Sequence, residues 1–157
     1  MKEISFRIAT KKDRDFIRRL SASVFSIFGH YDEILTGWFF HPGVVTVIGS
    51  KNGQPVAFAM LQPGEKETWN APTGELLAIA VIPENQRQGV GRALLNYMED
   101  LALRFRLSEM HLHTGKDNFP AQYLFEKAGY KIAGTEKSYY PKGQSAVKMV
   151  KMLYQMQ

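Results

Sequence analysis

Hydrophobic and polar positions alternate at the start of the chain, in Ile4-Ser5-Phe6-Arg7-Ile8-Ala9, as they do in a strand with one face on a core. The period then lengthens. Phe16, Ile17, Leu20, Val24 and Phe28 recur at helical spacing, Thr10 followed by Asp13 supplies a cap, and Gly29 supplies a stop. The aromatic segment "YDEILTGWFF" reads as a second, less regular helix. In "VVTVIGSKNGQPVAFAMLQ" two β-rich runs flank Lys51-Asn52-Gly53-Gln54, and Asn-Gly between such runs predicts a hairpin. "GEKETWNAPTG" is a polar loop. "ELLAIAVIP", Glu75 to Pro83, is almost wholly apolar, as a central strand covered on both faces would be. Val90, Leu94, Met98, Leu101 and Phe105 then mark one face of a helix, and "MHLHT" is a further strand. "NFPAQYLFEKAGY" is a helix closed by Gly129, and "YKIAGTEKSYY" and "SAVKMVKMLY" are two last strands. No repeat or linker interrupts the pattern, which predicts a single α/β domain over residues 1–157 with a mixed sheet.

Composition narrows the function classes. Apolar residues make up 45 % and charged residues 22 % of the 157, as in ordinary globular domains. No apolar run reaches the roughly 20 residues of a membrane span, and the N-terminal segment has no apolar signal core. The chain contains no cysteine, which excludes disulfides, thiolate metal sites and cysteine nucleophiles. A cytoplasmic protein with no membrane partner is the expectation. The net charge of +5 would suit a polyanion or a small anionic cofactor. Its densest basic cluster, "ATKKDRDFIRRL", is broken by Asp13 and Asp15, and no aromatic-basic module accompanies it, so no nucleic-acid partner is expected.

The chemistry is concentrated in "PENQRQGVGRALL". A glycine-containing turn between a strand and a helix exposes unpaired backbone N–H groups at the positive end of the helix dipole, where phosphates bind. Gly89 and Gly91 let the backbone approach an anion, and Arg87 and Arg92 flank the turn with charge. A dinucleotide fingerprint would need a third small residue where Leu94 stands, and a Walker loop would need Gly-Lys-Ser/Thr. A helix that merely begins at a glycine-rich turn is the plain alternative.

Two longer features give this turn a context. "LLAIAVIPENQRQGVGRALL" resembles the acyl-CoA-binding motif of the GNAT N-acetyltransferase superfamily, a central strand followed by Gln/Arg-x-x-Gly-x-Gly/Ala, here Gln86-Arg87-Gln88-Gly89-Val90-Gly91. "NFPAQYLFEKAGY" resembles the second signature of that superfamily through Asn118, Ala121, Leu124, Gly129 and Tyr130, and "RIATKKD" resembles its usual opening. The resemblance implies a mixed, mostly antiparallel sheet of six or seven strands with a splayed central parallel pair and about four helices. It implies acetyl-CoA as cosubstrate, its pyrophosphate on the N–H groups of Gln88, Gly89, Val90, Gly91 and Arg92. The backbone of Ile79, Ala80 and Val81 would pair with the pantetheine arm, one N–H there polarising the thioester carbonyl. Asn118 would bond the arm and Phe125 would pack beside it. Homodimers are frequent in the superfamily, and nothing in the sequence decides the point.

The implied reaction is direct attack of a primary amine on the thioester, with no metal. The amine must first lose a proton. Near pH 7 that costs about 1 kcal/mol for an α-amine of pKa ~8 and nearly 5 kcal/mol for a lysine of pKa ~10.4. Glu75, fourteen positions before Gly89 at the start of the central strand, is the candidate general base; a solvated strand-end carboxylate is the alternative. Many members of the superfamily protonate the leaving thiolate with a tyrosine at the position of Phe125, which has no proton to give. Tyr139 or Tyr140 from the later strand is the candidate substitute, unless both are ordinary strand aromatics. "SYYPKGQSAVKMVKML" also resembles the end of bacterial enzymes that acetylate ribosomal-protein N-termini, which favours a peptide or protein amine. Tyr31 and Trp38 are candidate acceptor-site residues. His111 and His113 share one strand face, and structural or hydrogen-bonded histidines are favoured there over a metal pair lacking a third ligand. Two rival functions stay open: an acyl-CoA-binding sensor or scaffold without turnover, and acetylation of a small amine such as a polyamine or aminoglycoside. The loops Gly29–Pro42, Gly64–Thr73 and Pro141–Gln144 carry no signature that selects the acceptor.

Overall fold

The computed structural model describes residues 3–64 and 72–153. Most of the polar loop read after Gln62 and the last residues of the chain lie outside them. Seven strands form one mixed sheet: β1 (Ile4–Ile8), β2 (Val45–Lys51), β3 (Gln54–Pro63), β4 (Thr73–Val81), β5 (Glu109–Gly115), β6 (Lys131–Glu136) and β7 (Ala146–Met152). Their order across the sheet is β1-β2-β3-β4-β5-β7-β6, with every neighbouring pair antiparallel except β4 and β5. The helices are α1 (Arg14–Phe25), α2 (Tyr31–Phe39), α3 (Val90–Arg104) and α4 (Phe119–Lys127).

Local chemistry sets the boundaries. Thr10 and Asp13 form a capping box in which Asp13 accepts from the Thr10 amide at 2.8 Å, and Arg7 donates to both oxygens of Asp13 at 2.8 and 2.9 Å. The box caps a single 3-10 turn over Lys11–Asp13, so α1 itself begins at Arg14 and β1 is fixed to it by the Arg7 pair. Asn52 and Gly53 both take positive φ, 52° and 82°, which matches the strand twist across a two-residue hairpin.

The sheet separates two apolar clusters. Ile17 and Leu20 of α1 and Leu35 of α2 pack on Ile48, Phe58, Met60, Ala78 and Ala80. On the other face, Leu94, Leu95 and Met98 of α3 and Phe125 of α4 pack on Ala57, Ala59, Leu61, Leu76, Met110 and Leu112. Two features of the sequence pattern are not realised. Phe105 lies past the end of α3 and is 45 % exposed, because the helix stops at Arg104 before that face completes another turn. Tyr139 and Tyr140 belong to the loop after β6 and not to a strand, since Ser138 turns the chain at φ 52° and Tyr140 and Gln144 close the loop with a 3.1 Å backbone bond.

A bulge in β4 positions the site. Met60 pairs with Ala78 and Leu61 with Leu76, which leaves Leu77 unpaired. Leu76 therefore enters the α3 cluster while Ala78 and Ala80 enter the α1–α2 cluster, although regular pleating would put all three on one face. The parallel ladder from Thr73↔Glu109 to Leu76↔Leu112 ends at the same place. Beyond it β4 and β5 part.

Candidate functional site

The gap between the parted strands opens into a cleft of about 970 Å³ that runs from the turn before α3 to the loop after β6. At one end Arg87, Gly89, Gly91 and Arg92 line it, together with Asn118, Tyr123, Leu124, Phe125 and Lys127. Gly89 has φ 85° and an added Cβ would meet nothing within 4 Å, so glycine serves the conformation there. At Gly91 a Cβ would meet Leu124 and Val81 at an ordinary 3.8 Å. Among the described residues neither Arg87 nor Arg92 forms an ion pair, so both charges stay available to an anion at this helix start. The side chains of the other turn residues are engaged within the protein, Val90 in the core and Gln88 with Lys51 Nζ at 2.9 Å and the Glu84 carbonyl, so what these two present to an anion is their backbone N–H.

The middle of the cleft is backbone. Ile82 donates to the Val56 carbonyl on β3, so by strand alternation Ala80 also turns its N–H and C=O to β3 while Ile79 and Val81 turn theirs to the gap. Ala80, grouped with them in the sequence, thus lines the cleft without backbone groups to offer. Gln86 Nε2 donates to the Val81 carbonyl at 3.0 Å and occupies that acceptor. Asn118 uses its side-chain oxygen on the Ala121 amide at 3.3 Å to cap α4. Its NH₂ is the part left for a ligand. Phe125 is 4 % exposed and meets Tyr130 edge-on at 5.8 Å, a packing role with one edge on the cleft. Tyr123, two residues before it, is 62 % exposed yet also reaches the cleft wall.

The far end is aromatic and roofed. Tyr140 packs on Phe28 at 4.3 Å between ring centroids and on Tyr31 at 6.2 Å, and Trp38 and Leu35 of α2 complete the wall. The loops after α1 and after β6 are joined across the cleft. Gln144 Nε2 donates to the Ile27 carbonyl at 2.6 Å and the Lys142 amide donates to the Phe28 carbonyl at 3.3 Å. Pro141 lies where a Cβ on Gly29 would come within 2.9 Å, and Gly29 also has φ 145°, so glycine is required for this closure.

Glu75 faces the cleft beside this roof. Glu75 Oε2 lies 3.2 Å from His113 Nδ1, and His113 Nε2 lies 2.9 Å from Glu136 Oε2 on β6. Tyr139 stacks on the same imidazole, with centroids 4.4 Å apart and planes 13° apart, and stands edge-on to Tyr140 at 5.0 Å. Tyr139 is 40 % exposed, but desolvation at the cleft, then Glu75, Tyr31 and Glu136, push its phenol up to about 12. Burial, followed by Tyr31 and Tyr139, raises Tyr140 as well, and burial raises Tyr31. All three phenols therefore keep their protons at neutral pH. The hydrogen-bonded histidine favoured by the sequence is found at His113, and its partner is the candidate base. What the sequence missed is the Glu75–His113–Glu136 series, whose only trace was the alternation of His111 with His113. His111 shares the strand face but bonds Glu109 at 3.1 Å. Among the described residues no group of three or more His, Asp or Glu is placed to hold a metal ion.

A glycine turn at a helix start, a bulged strand parting from its parallel neighbour and a capped helix beyond them together outline the cleft. The sequence pattern of the Acetyltransferase (GNAT) family matches residues 14–130, and the chain belongs to that family. It is 35 % identical over 92 residues to the [ribosomal protein bS18]-alanine N-acetyltransferase of Escherichia coli (strain K12), a match covering 59 % of this chain and 58 % of that protein. An N-alpha-acetyltransferase of Saccharolobus solfataricus is 32 % identical over 81 residues, 51 % of this chain and 48 % of the relative. The chain thus matches less than two thirds of the length of these relatives. In three dimensions the crystal structure of the ribosomal-protein-S18-alanine N-acetyltransferase from Escherichia coli superposes with a TM-score of 0.81 at 23 % identity, covering 99 % of this chain and 97 % of that one. At that identity the superposition speaks for the fold.

Proposed function

We propose that this protein transfers the acetyl group of acetyl-CoA to a primary amine in the cytoplasm, the acceptor being the α-amino group of a peptide or protein. The observation that carries the reading is the Glu75 carboxylate, which opens into the cleft beside the point where β4 parts from β5. Gly89, Arg87 and Arg92 would hold the pyrophosphate, and the gap-facing backbone of Ile79 and Val81 would take the pantetheine arm and thioester carbonyl. Preset N–H donors stabilise charge on that oxygen without reorganising. Glu75 takes a proton from the incoming ammonium, the amine nitrogen bonds the acetyl carbon, and the carbon–sulfur bond breaks. Tyr139, held protonated and stacked on His113, gives its proton to the departing sulfur, the role that Phe125 cannot fill, and the tyrosinate recovers a proton from the newly bonded nitrogen, directly or through water.

Two features favour an α-amine over the other acceptors. The loops that carry Phe28 and Tyr140 are tied together by the Gln144–Ile27 bond, an enclosure that suits a chain end entering lengthwise. Glu75 is the one carboxylate among the described residues lining the cleft, too little negative charge for a polyamine. The α-amine also asks less of a single base than a lysine does. The named activities of the two relatives point the same way. Acetyl-CoA consumption measured against N-terminal peptides, lysine peptides, polyamines and aminoglycosides tests the reading, with turnover expected on the first group. Acetyl-CoA binding with no acceptor-dependent release of CoA from any of them would make the chain a sensor instead.

A further inference from the structure

Glu136 is not part of the cleft wall. It stands on the edge strand β6 with its side chain 49 % exposed, yet its carboxylate reaches back to His113 Nε2 at 2.9 Å, the shorter of the two contacts that ring makes. We propose that Glu136 is a positioning residue for the transfer reaction: it accepts the Nε2 hydrogen of His113, fixes ring and tautomer, and so presents Nδ1 as a proton acceptor to Glu75. This rests on the reading of Glu75 as the base.

Both nitrogens of a neutral imidazole cannot donate, and the one that donates is set by its hydrogen-bond partner. His113 has a carboxylate on each side, so the choice matters. With the hydrogen on Nε2, directed to Glu136, the lone pair of Nδ1 faces Glu75, and their 3.2 Å contact becomes a hydrogen bond only once Glu75 has taken a proton from the amine. A proton taken by Glu75 from the amine can then pass from Glu75 Oε2 to Nδ1. The amine is left neutral, Glu75 returns to carboxylate, and the imidazolium donates to Glu75 and Glu136 at once. Water takes this proton after the product leaves. With the hydrogen on Nδ1, directed to Glu75, that route is closed. The parallel Tyr139 ring removes the ring's freedom to turn over. The charged and titratable groups around His113 are Glu75 on β4, His111 on its own strand, Glu136 on β6, Lys148 as register partner on β7, and Tyr139 from the loop with Tyr31 behind it. Of these, Glu136 is the acceptor at Nε2.

The arrangement predicts a tautomer change that is visible without turnover. In Glu136→Ala the sole remaining carboxylate is Glu75, so nitrogen NMR of the acceptor-free protein should show the His113 hydrogen moved from Nε2 to Nδ1. The same variant should lose about tenfold or more in kcat, by analogy with a carboxylate that orients a histidine base, with KM for acetyl-CoA and acceptor within about twofold. Glu136→Gln keeps an acceptor oxygen and should restore the Nε2 tautomer and most of kcat. An unchanged tautomer in Glu136→Ala, or equal kcat in all three proteins, overturns the proposal. A tautomer change in a protein that acetylates no amine would instead overturn the function on which it rests. Glu136 is exposed at a sheet edge, so both variants are expected to fold.

Discussion

Glu75 and His113 approach to 3.2 Å although 38 residues separate them, because β4 and β5 run parallel and part just beyond Leu76 and Leu112. The contact joins a carboxylate with an exposed edge to an imidazole enclosed by β6 and Tyr139. Any account of proton removal in this cleft has to treat the two together.

Glu75→Gln removes the carboxylate while keeping the shape. The loss in kcat/KM should be about 10- to 100-fold near pH 7 and shrink as the pH rises past ~8, where an α-amine sheds its own proton. A pH–rate series on an N-terminal peptide checks this. A constant ratio across the range would take Glu75 out of the mechanism.

Tyr139→Phe keeps the stack on His113 and removes the hydroxyl. Because that phenol is pushed up to about 12, it remains a proton donor throughout an ordinary assay range, and the wild-type rate should show no alkaline loss from its ionisation below pH ~10. The variant should lose about tenfold in kcat at every pH with KM for acetyl-CoA unchanged. Stopped-flow measurement of thiol release would detect it. Full activity in Tyr139→Phe together with a defect in Tyr140→Phe would transfer the role to Tyr140.

Gly89 and Gly91 should separate. Gly89→Ala forces a Cβ into φ 85°, at a cost of about 1 kcal/mol. That corresponds to a Tm lower by roughly 2–4 °C in a chain of this size, and KM for acetyl-CoA should rise as the turn distorts. Gly91→Ala meets only ordinary contacts and should leave Tm unchanged. Thermal melts with and without acetyl-CoA compare the two directly.

Asp13 links stability to pH. Hydrogen bonding from Arg7 holds its carboxyl below the ordinary value of 3.8, against an opposing desolvation, with further help from the Thr10 amide. A depressed folded pKa stabilises fully above the unfolded value and is lost as the pH falls through the folded one. Asp13→Ala should therefore cost about 1–2 kcal/mol at neutral pH through loss of the cap and the Arg7 bonds. The difference from the parent should close as acid protonates Asp13 below pH 3.8. Urea titrations at pH 7 and pH 3 would show it, and an equal difference at both would remove the carboxyl from the account.

Much of the fold and part of the candidate site were legible because they depend on local chemistry. Asn52-Gly53 named its hairpin, Thr10 and Asp13 their cap, and the apolar run through Ile79 a strand covered on both faces. The turn from Gln86 to Arg92 could be singled out as a candidate because its glycines, the helix start and the neighbouring arginines are contiguous in the chain. The tertiary structure decided what sits across from what. Leu77 bulges out of the ladder, which turns Ala78 away from the face of Leu76 and ends the pairing with β5, and no residue type in "ELLAIAVIP" announces that. Tyr139 and Tyr140 continue the strand pattern in sequence, but a turn at Ser138 carries them over the cleft to meet Phe28 and Tyr31. Glu75, His113 and Glu136 come from three strands, and their series exists only once the register of a parallel pair and of an edge strand is set. Side-chain periodicity reports which face a residue takes, while the partner on that face is fixed by pairing between segments far apart in the chain.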